Sequence, residues 1–206
     1  MEKKQVFYIH GGSSYSKYED YIEDLKTQSL RSASDEDSVS KWPSTLRSEL
    51  GEGYQVLMPS FPNSNNAKYE EWKIWFERHF EFLHDGVVLV CWSQGGMFIA
   101  RYLSENDTPF AIRALFLLAA PLEFMLIEGM KEDGGDFYPE EAQIPGIQIK
   151  VKNITIMHSK DDFVVPYEHA LKYKAALPEA ELVTFEDKNH FLVEELPELV
   201  ERIKVL

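Results

Sequence analysis

The stretch Val87-Val88-Leu89-Val90-Cys91-Trp92-Ser93-Gln94-Gly95-Gly96-Met97-Phe98-Ile99-Ala100 constrains this chain more than any other. Its first half is a run of aliphatic and β-branched residues, too short for a membrane span, and reads as a parallel strand buried on both faces. The run breaks at Ser93 among small residues and passes into Met97-Phe98-Ile99-Ala100-Arg101-Tyr102-Leu103, which reads as a helix. A serine on a sharp strand-to-helix turn has its hydroxyl lifted off the sheet edge, with the first amides of the helix aimed at the same space. This is the layout of a nucleophile elbow. It requires a base, an acid and a second oxyanion donor from elsewhere in the chain.

The remaining residues supply a frame for such a turn. Strands are expected at residues 5–10, 54–58, 112–119, 153–158 and 182–185, besides the one that ends at Ser93. Between them lie helices: one marked by Trp42, Leu46 and Leu50, then residues 67–83, the one after Ser93, 167–177 and 191–203. Alternating strands and helices predict a mostly parallel sheet of about six strands with helices on both faces, an α/β three-layer domain. At 206 residues the chain suits one domain with a full-sized core. The stripe Trp72, Trp75, Phe76, Phe80 and Leu83 falls at helical spacing and reads as core.

Two segments fit this alternation less well. In residues 15–41, Tyr18, Tyr21, Ile22 and Leu25 predict a short amphipathic helix, followed by an exposed linker at 31–38. Residues 122–150 are long for a plain connection and lack a strong period. Each segment is either a lid over the site or a surface decoration.

Charge and cysteine usage narrow the function classes. A net charge of -14 argues against a nucleic-acid binder or an anionic-membrane binder, since both need clustered Lys and Arg. The single cysteine excludes an intramolecular disulfide and fits a reducing compartment. No apolar signal segment follows Met1-Glu2-Lys3-Lys4, so a cytoplasmic location is expected. A small-molecule substrate is the expected partner, with no metal or cofactor.

A serine hydroxyl needs a base to take its proton and an acid to orient that base. After such an elbow the order is Ser, then Asp or Glu, then His, which sets aside His10, His79 and His84. His158 immediately precedes the candidate acid loop, and His169 follows it on a helix where it is expected to face solvent. His190, in the loop after the 182–185 strand, is the candidate base. For the acid, Asp161 and Asp162 compete at the end of the preceding strand. Gly11-Gly12-Ser13, after the first strand, offers the second oxyanion amide from Gly12 or Ser13, alongside that of Gln94. The candidate pocket residues are His10, Trp92, Phe124, Phe137 and Tyr138.

Taken together, several motifs resemble the α/β-hydrolase superfamily, and within it the small single-domain serine hydrolases like retinoblastoma-binding protein 9 and its bacterial relatives. They are His-Gly-Gly at 10–12, the Ser93 elbow, Asp-Asp-Phe-Val-Val-Pro at 161–166 and Asn-His-Phe at 189–191. The resemblance implies strand order 2-1-3-4-5-6, Asp162 as the acid, and hydrolysis of carboxylic esters or amides through an acyl-enzyme. Two positions depart from it: Cys91 stands where the family has glycine, and Trp92 where histidine is frequent. The Cys91 departure and the 15–41 insertion motivate the alternative of a catalytically idle fold that serves as an interaction or ligand-binding module.

Overall fold

The computed structural model describes residues 3–28, 42–123 and 131–206. Six parallel strands form one sheet in the order β2-β1-β3-β4-β5-β6, as the resemblance implies. They are β1 (Lys4–Ile9), β2 (Tyr54–Leu57), β3 (Val87–Trp92), β4 (Ile112–Leu118), β5 (Asn153–Ser159) and β6 (Glu181–Phe185). The described helices are α1 (Tyr18–Thr27), α2 (Trp42–Leu50), α3 (Tyr69–Arg78), α4 (Gln94–Glu105), α5 (Ile147–Lys150), α6 (Glu168–Ala176) and α7 (Pro197–Lys204).

Alternation along the central strands builds the three layers. Phe7, Ile9, Leu89 and Cys91 point to one face, where they meet Trp72 and Phe76 of α3, Phe98 and Tyr102 of α4, and Tyr173 of α6. Val6, Tyr8, Val88 and Val90 point to the other, against Trp42 and Leu46 of α2 and Leu199 and Ile203 of α7. With both faces covered, β3 is buried from Val87 to Cys91, which is why its sequence is apolar without a break. The aromatic stripe is core at Trp72 and Phe76, whereas Trp75 is 36% exposed and lies edge-on to His79. α1 buries none of its residues. No described helix is long and apolar enough to cross a membrane.

Two helices are shorter than their periodicity suggests. The stretch expected to continue from α3 tightens into a 3₁₀ turn at His79–Phe82. The helix expected from residue 191 starts only at Pro197, because Asn189 (φ 49°) and Phe191 (φ 53°) are left-handed and place His190 in a tight loop.

Candidate active site

Register puts the elbow at the carboxyl end of the innermost strand. Cys91 pairs with Ile9 on one side and Leu117 on the other, and the Ser93 amide donates to the Leu118 carbonyl at 2.8 Å. The chain then reverses at Ser93, whose φ of 53° and ψ of -123° lie where side chains are strained, at a cost of roughly 1–3 kcal/mol. Close packing below the turn allows this. A Cβ on Gly95 would lie 2.5 Å from the Ile9 carbonyl oxygen and 2.6 Å from that of His10, so only glycine lets α4 start this near β1. The Gly11 backbone passes equally close above, where a Cβ would stand 3.1 Å from that of Ser93.

Loops after β5 and β6 bring two more groups to the hydroxyl. His190 Nε2 lies 2.8 Å from Ser93 Oγ, and His190 Nδ1 lies 2.8 Å from Asp162 Oδ2. With Nδ1–H donating to the carboxylate, Nε2 is left as the acceptor for the serine proton. The other Asp162 oxygen accepts the amides of Val164 and Val165, both at 2.8 Å. Burial opposes ionisation of Asp162, but hydrogen bonds from His158, His190 and the Val165 amide outweigh it. The group is held well below the usual carboxylate range.

The competing aspartate has a different task. Asp161 Oδ1 accepts the Asn189 amide at 2.9 Å and the Ser159 hydroxyl at 2.5 Å, and Ser159 Oγ in turn accepts the Lys188 amide at 3.0 Å. Asp161 therefore ties the loop of His190 to the loop of Asp162.

A family model described as serine hydrolase matches residues 33–203. The chain belongs to the serine hydrolase family. Its fold is also that of the α/β-hydrolases. The ydeN gene product of B. subtilis superposes with a TM-score of 0.73 at 20% identity, covering 98% of each chain. A meta-cleavage product hydrolase, CumD from Pseudomonas fluorescens, gives a TM-score of 0.62 at 14% identity over 99% of this chain and 92% of its own. A bromoperoxidase from Bacillus anthracis gives 0.58 at 15% identity over 99% and 89%. No curated protein matches the sequence.

Within this serine hydrolase the remaining candidates divide. Gln94 begins α4, so its amide has no carbonyl partner within the helix, and the Gly12 amide makes no bond among the described residues. Ser13 does not share that freedom. Its amide donates to the Ser64 carbonyl at 2.8 Å and its carbonyl accepts from Ala67 N at 2.8 Å, which removes it as an oxyanion donor.

Of the expected pocket residues, Tyr138 lines the Ser93 cleft, together with Met97, Pro121, Val164 and Val165. Phe137 does not line it, being fully buried against Tyr69, Trp72 and Phe98 in the core. His10 is also withdrawn: Nε2 accepts the Phe61 amide at 2.7 Å and Nδ1 faces the Gly11 carbonyl at 2.5 Å, with the ring against Phe61 and Trp72. Trp92 does not line the cleft, and its indole N–H donates to the His190 carbonyl at 3.0 Å. Phe124 lies outside the described residues.

Three groups escaped the sequence reading. His158 is fully buried, and its Nε2 stands 2.8 Å from the Val165 carbonyl and 3.3 Å from Asp162 Oδ2, so a second histidine flanks the acid. Contrary to expectation, His169 does not face solvent. It is 3% exposed, accepts the Leu122 amide at 3.0 Å, and is pushed down to about 4 chiefly by burial. The third, Glu132, lines the cleft. The position of His158 just before the acid loop was a usable signal for its contact, whereas nothing around Glu132 was periodic enough to place it.

Cys91 has no path to substrate. It is fully buried, and burial pushes its thiol well up. The elbow nonetheless forms with cysteine at this position, since the tight approaches fall at Gly11 and Gly95.

Proposed function

We propose that this serine hydrolase cleaves small carboxylic esters, thioesters or amides through an acyl-enzyme on Ser93, with His190 as base and Asp162 as its orienting acid. The carrying observation is the continuous line from Ser93 Oγ to His190 Nε2 and from His190 Nδ1 to Asp162 Oδ2, each step 2.8 Å.

In this reading Ser93 Oγ attacks the substrate carbonyl while its proton passes to His190 Nε2. The carbonyl oxygen becomes an oxyanion held by the amides of Gln94 and Gly12. Asp162, kept ionised, stabilises the imidazolium and does not itself take the proton. His190 then protonates the departing alcohol, thiol or amine as its bond to carbon breaks. Water repeats the sequence on the acyl-enzyme: His190 takes its proton, and Ser93 leaves with that proton returned.

A fluorophosphonate probe tests the assignment. It is expected to label Ser93, with Ser93→Ala abolishing labelling and lowering ester turnover on the order of 10⁶-fold. A native chain that resists the probe, or a Ser93→Ala variant that labels equally, overturns the reading and favours an idle fold.

A further inference from the structure

Part of the wall of the Ser93 cleft comes from residues 132–138, in the segment without sequence periodicity. Hydrogen bonds fix this segment against the loop after β1. The Asp133 amide donates to the Ser14 carbonyl, Asp133 Oδ1 accepts the amides of Ser16 and Gly135 at 2.9 Å each, and the Tyr138 hydroxyl donates to the Asp133 carbonyl. Among the described residues, Glu132 and Asp133 are the only charged side chains that line the cleft.

The two carboxylates are not equivalent. One oxygen of Asp133 is committed to the two amides that shape its own loop. The Glu132 carboxyl accepts from the Ser13 hydroxyl and the Ser14 amide, and the charged groups acting on it are Asp24 of α1 and Asp133, both acidic. The Tyr15 phenol faces it as well. Among the described residues no lysine or arginine is paired with it. A half-buried carboxylate with acidic neighbours and no cation is an electrostatic deficit that a positively charged ligand removes. Independently, Gln94 lines the same cleft at 2% exposure, and its side-chain Nε2 has no hydrogen-bond partner among the described residues. A buried amide donor left unpaired is costly, and a ligand oxygen that meets it recovers that cost.

On the reading of Ser93 as nucleophile, we propose that Glu132 determines specificity: the cleft takes acyl substrates that carry a positively charged nitrogen, with Glu132 as counter-ion and Gln94 Nε2 on a substrate oxygen. Burial, reinforced by Asp24 and Asp133, pushes Glu132 up to about 7. Cation and ionised carboxylate favour each other, so the preference for a charged substrate is present above that pH and fades below it.

Two fluorophosphonates of equal length test this on the full chain, one ending in a trimethylammonium group and the other in its neutral tert-butyl isostere. The ratio of their labelling rates at Ser93 cancels any pH effect common to both probes. At about pH 8 the native chain is expected to favour the cation on the order of tenfold, falling to near parity at about pH 5.5. Glu132→Gln should bring the ratio near one at the higher pH, and Glu132→Asp should keep part of the preference. A native ratio near one at about pH 8, or a preference that Glu132→Gln leaves intact, overturns the proposal. The native pH dependence stands without any variant. Equal labelling by both probes removes the specificity claim and leaves Ser93 as nucleophile, whereas labelling by neither removes both.

Discussion

The indole N–H of Trp92 donates to the backbone carbonyl of His190 at 3.0 Å, so the residue before Ser93 holds the loop that carries His190. The ring centroids of the two side chains lie 5.7 Å apart. This contact compensates for the left-handed backbone on either side of His190, at Asn189 and Phe191. Trp92→Phe keeps the packing and removes the donor. Its kcat is expected to fall about tenfold or more with little change in KM, since small misplacements of a catalytic group are costly. Steady-state kinetics on a short acyl ester check this, and an unchanged kcat removes Trp92 from any positioning role.

Asp162 supports a stability prediction with a definite sign. Its carboxyl is held below the usual range in the folded chain, chiefly by bonds from His158 and His190 that outweigh the effect of burial. A depressed acid contributes stability above its unfolded value, and the contribution is lost as pH falls through the folded one. Asp162→Asn should therefore lower Tm most near neutrality, with the gap to the native chain closing as pH drops below about 4. The same variant should lose on the order of 10⁴ in kcat, because the imidazole tautomer is no longer enforced. Thermal melts across that range, paired with turnover, check both expectations.

Glu132 carries the opposite sign. An acid whose folded value is raised destabilises the chain once pH exceeds its unfolded value, and here the range runs from 4.5 up to about 7. Glu132→Gln is expected to raise Tm at about pH 8 and to leave it close to native at about pH 4, where both states are protonated. A variant less stable than native at the higher pH would mean that the carboxylate's bonds to Ser13 and Ser14 outweigh the repulsion it suffers.

At Gly95 the prediction is steric. A methyl group there meets two backbone oxygens within 2.6 Å, and neither can rotate away. Gly95→Ala should cost about 1–3 kcal/mol of stability and shift the start of α4, taking the Gln94 amide with it. Loss of fluorophosphonate labelling in a chain that still melts cooperatively is the expected result.

What could be read in the sequence was whatever repeats locally or follows chain order. The run Val87–Trp92 announced a central strand because burial on both faces leaves no polar alternation. His190 and Asp162 followed from order and from their places after strands, and their side chains do meet Ser93. What could not be read depends on partners far along the chain. His10 stands beside the glycine loop, yet its Nε2 accepts the Phe61 amide, 51 residues away. Ser13 looked like a loop amide, but it is stitched to Ser64. Phe137 is aromatic in a loop and could as well have lined a cleft as filled the space beside Trp72. The helix expected from residue 191 was shortened by a backbone reversal that no periodicity encodes.

β6 has a neighbour on one side only, and its residues are partly or fully exposed along its length, whereas β3 is sealed within the sheet. His190 thus hangs from the strand with the least protection, and Ser93 from the strand with the most. Opening of that edge takes His190 away from Ser93 without disturbing the elbow. Amide hydrogen exchange in β6 should therefore be faster than in β3. In a denaturant titration, turnover should disappear before the sheet does.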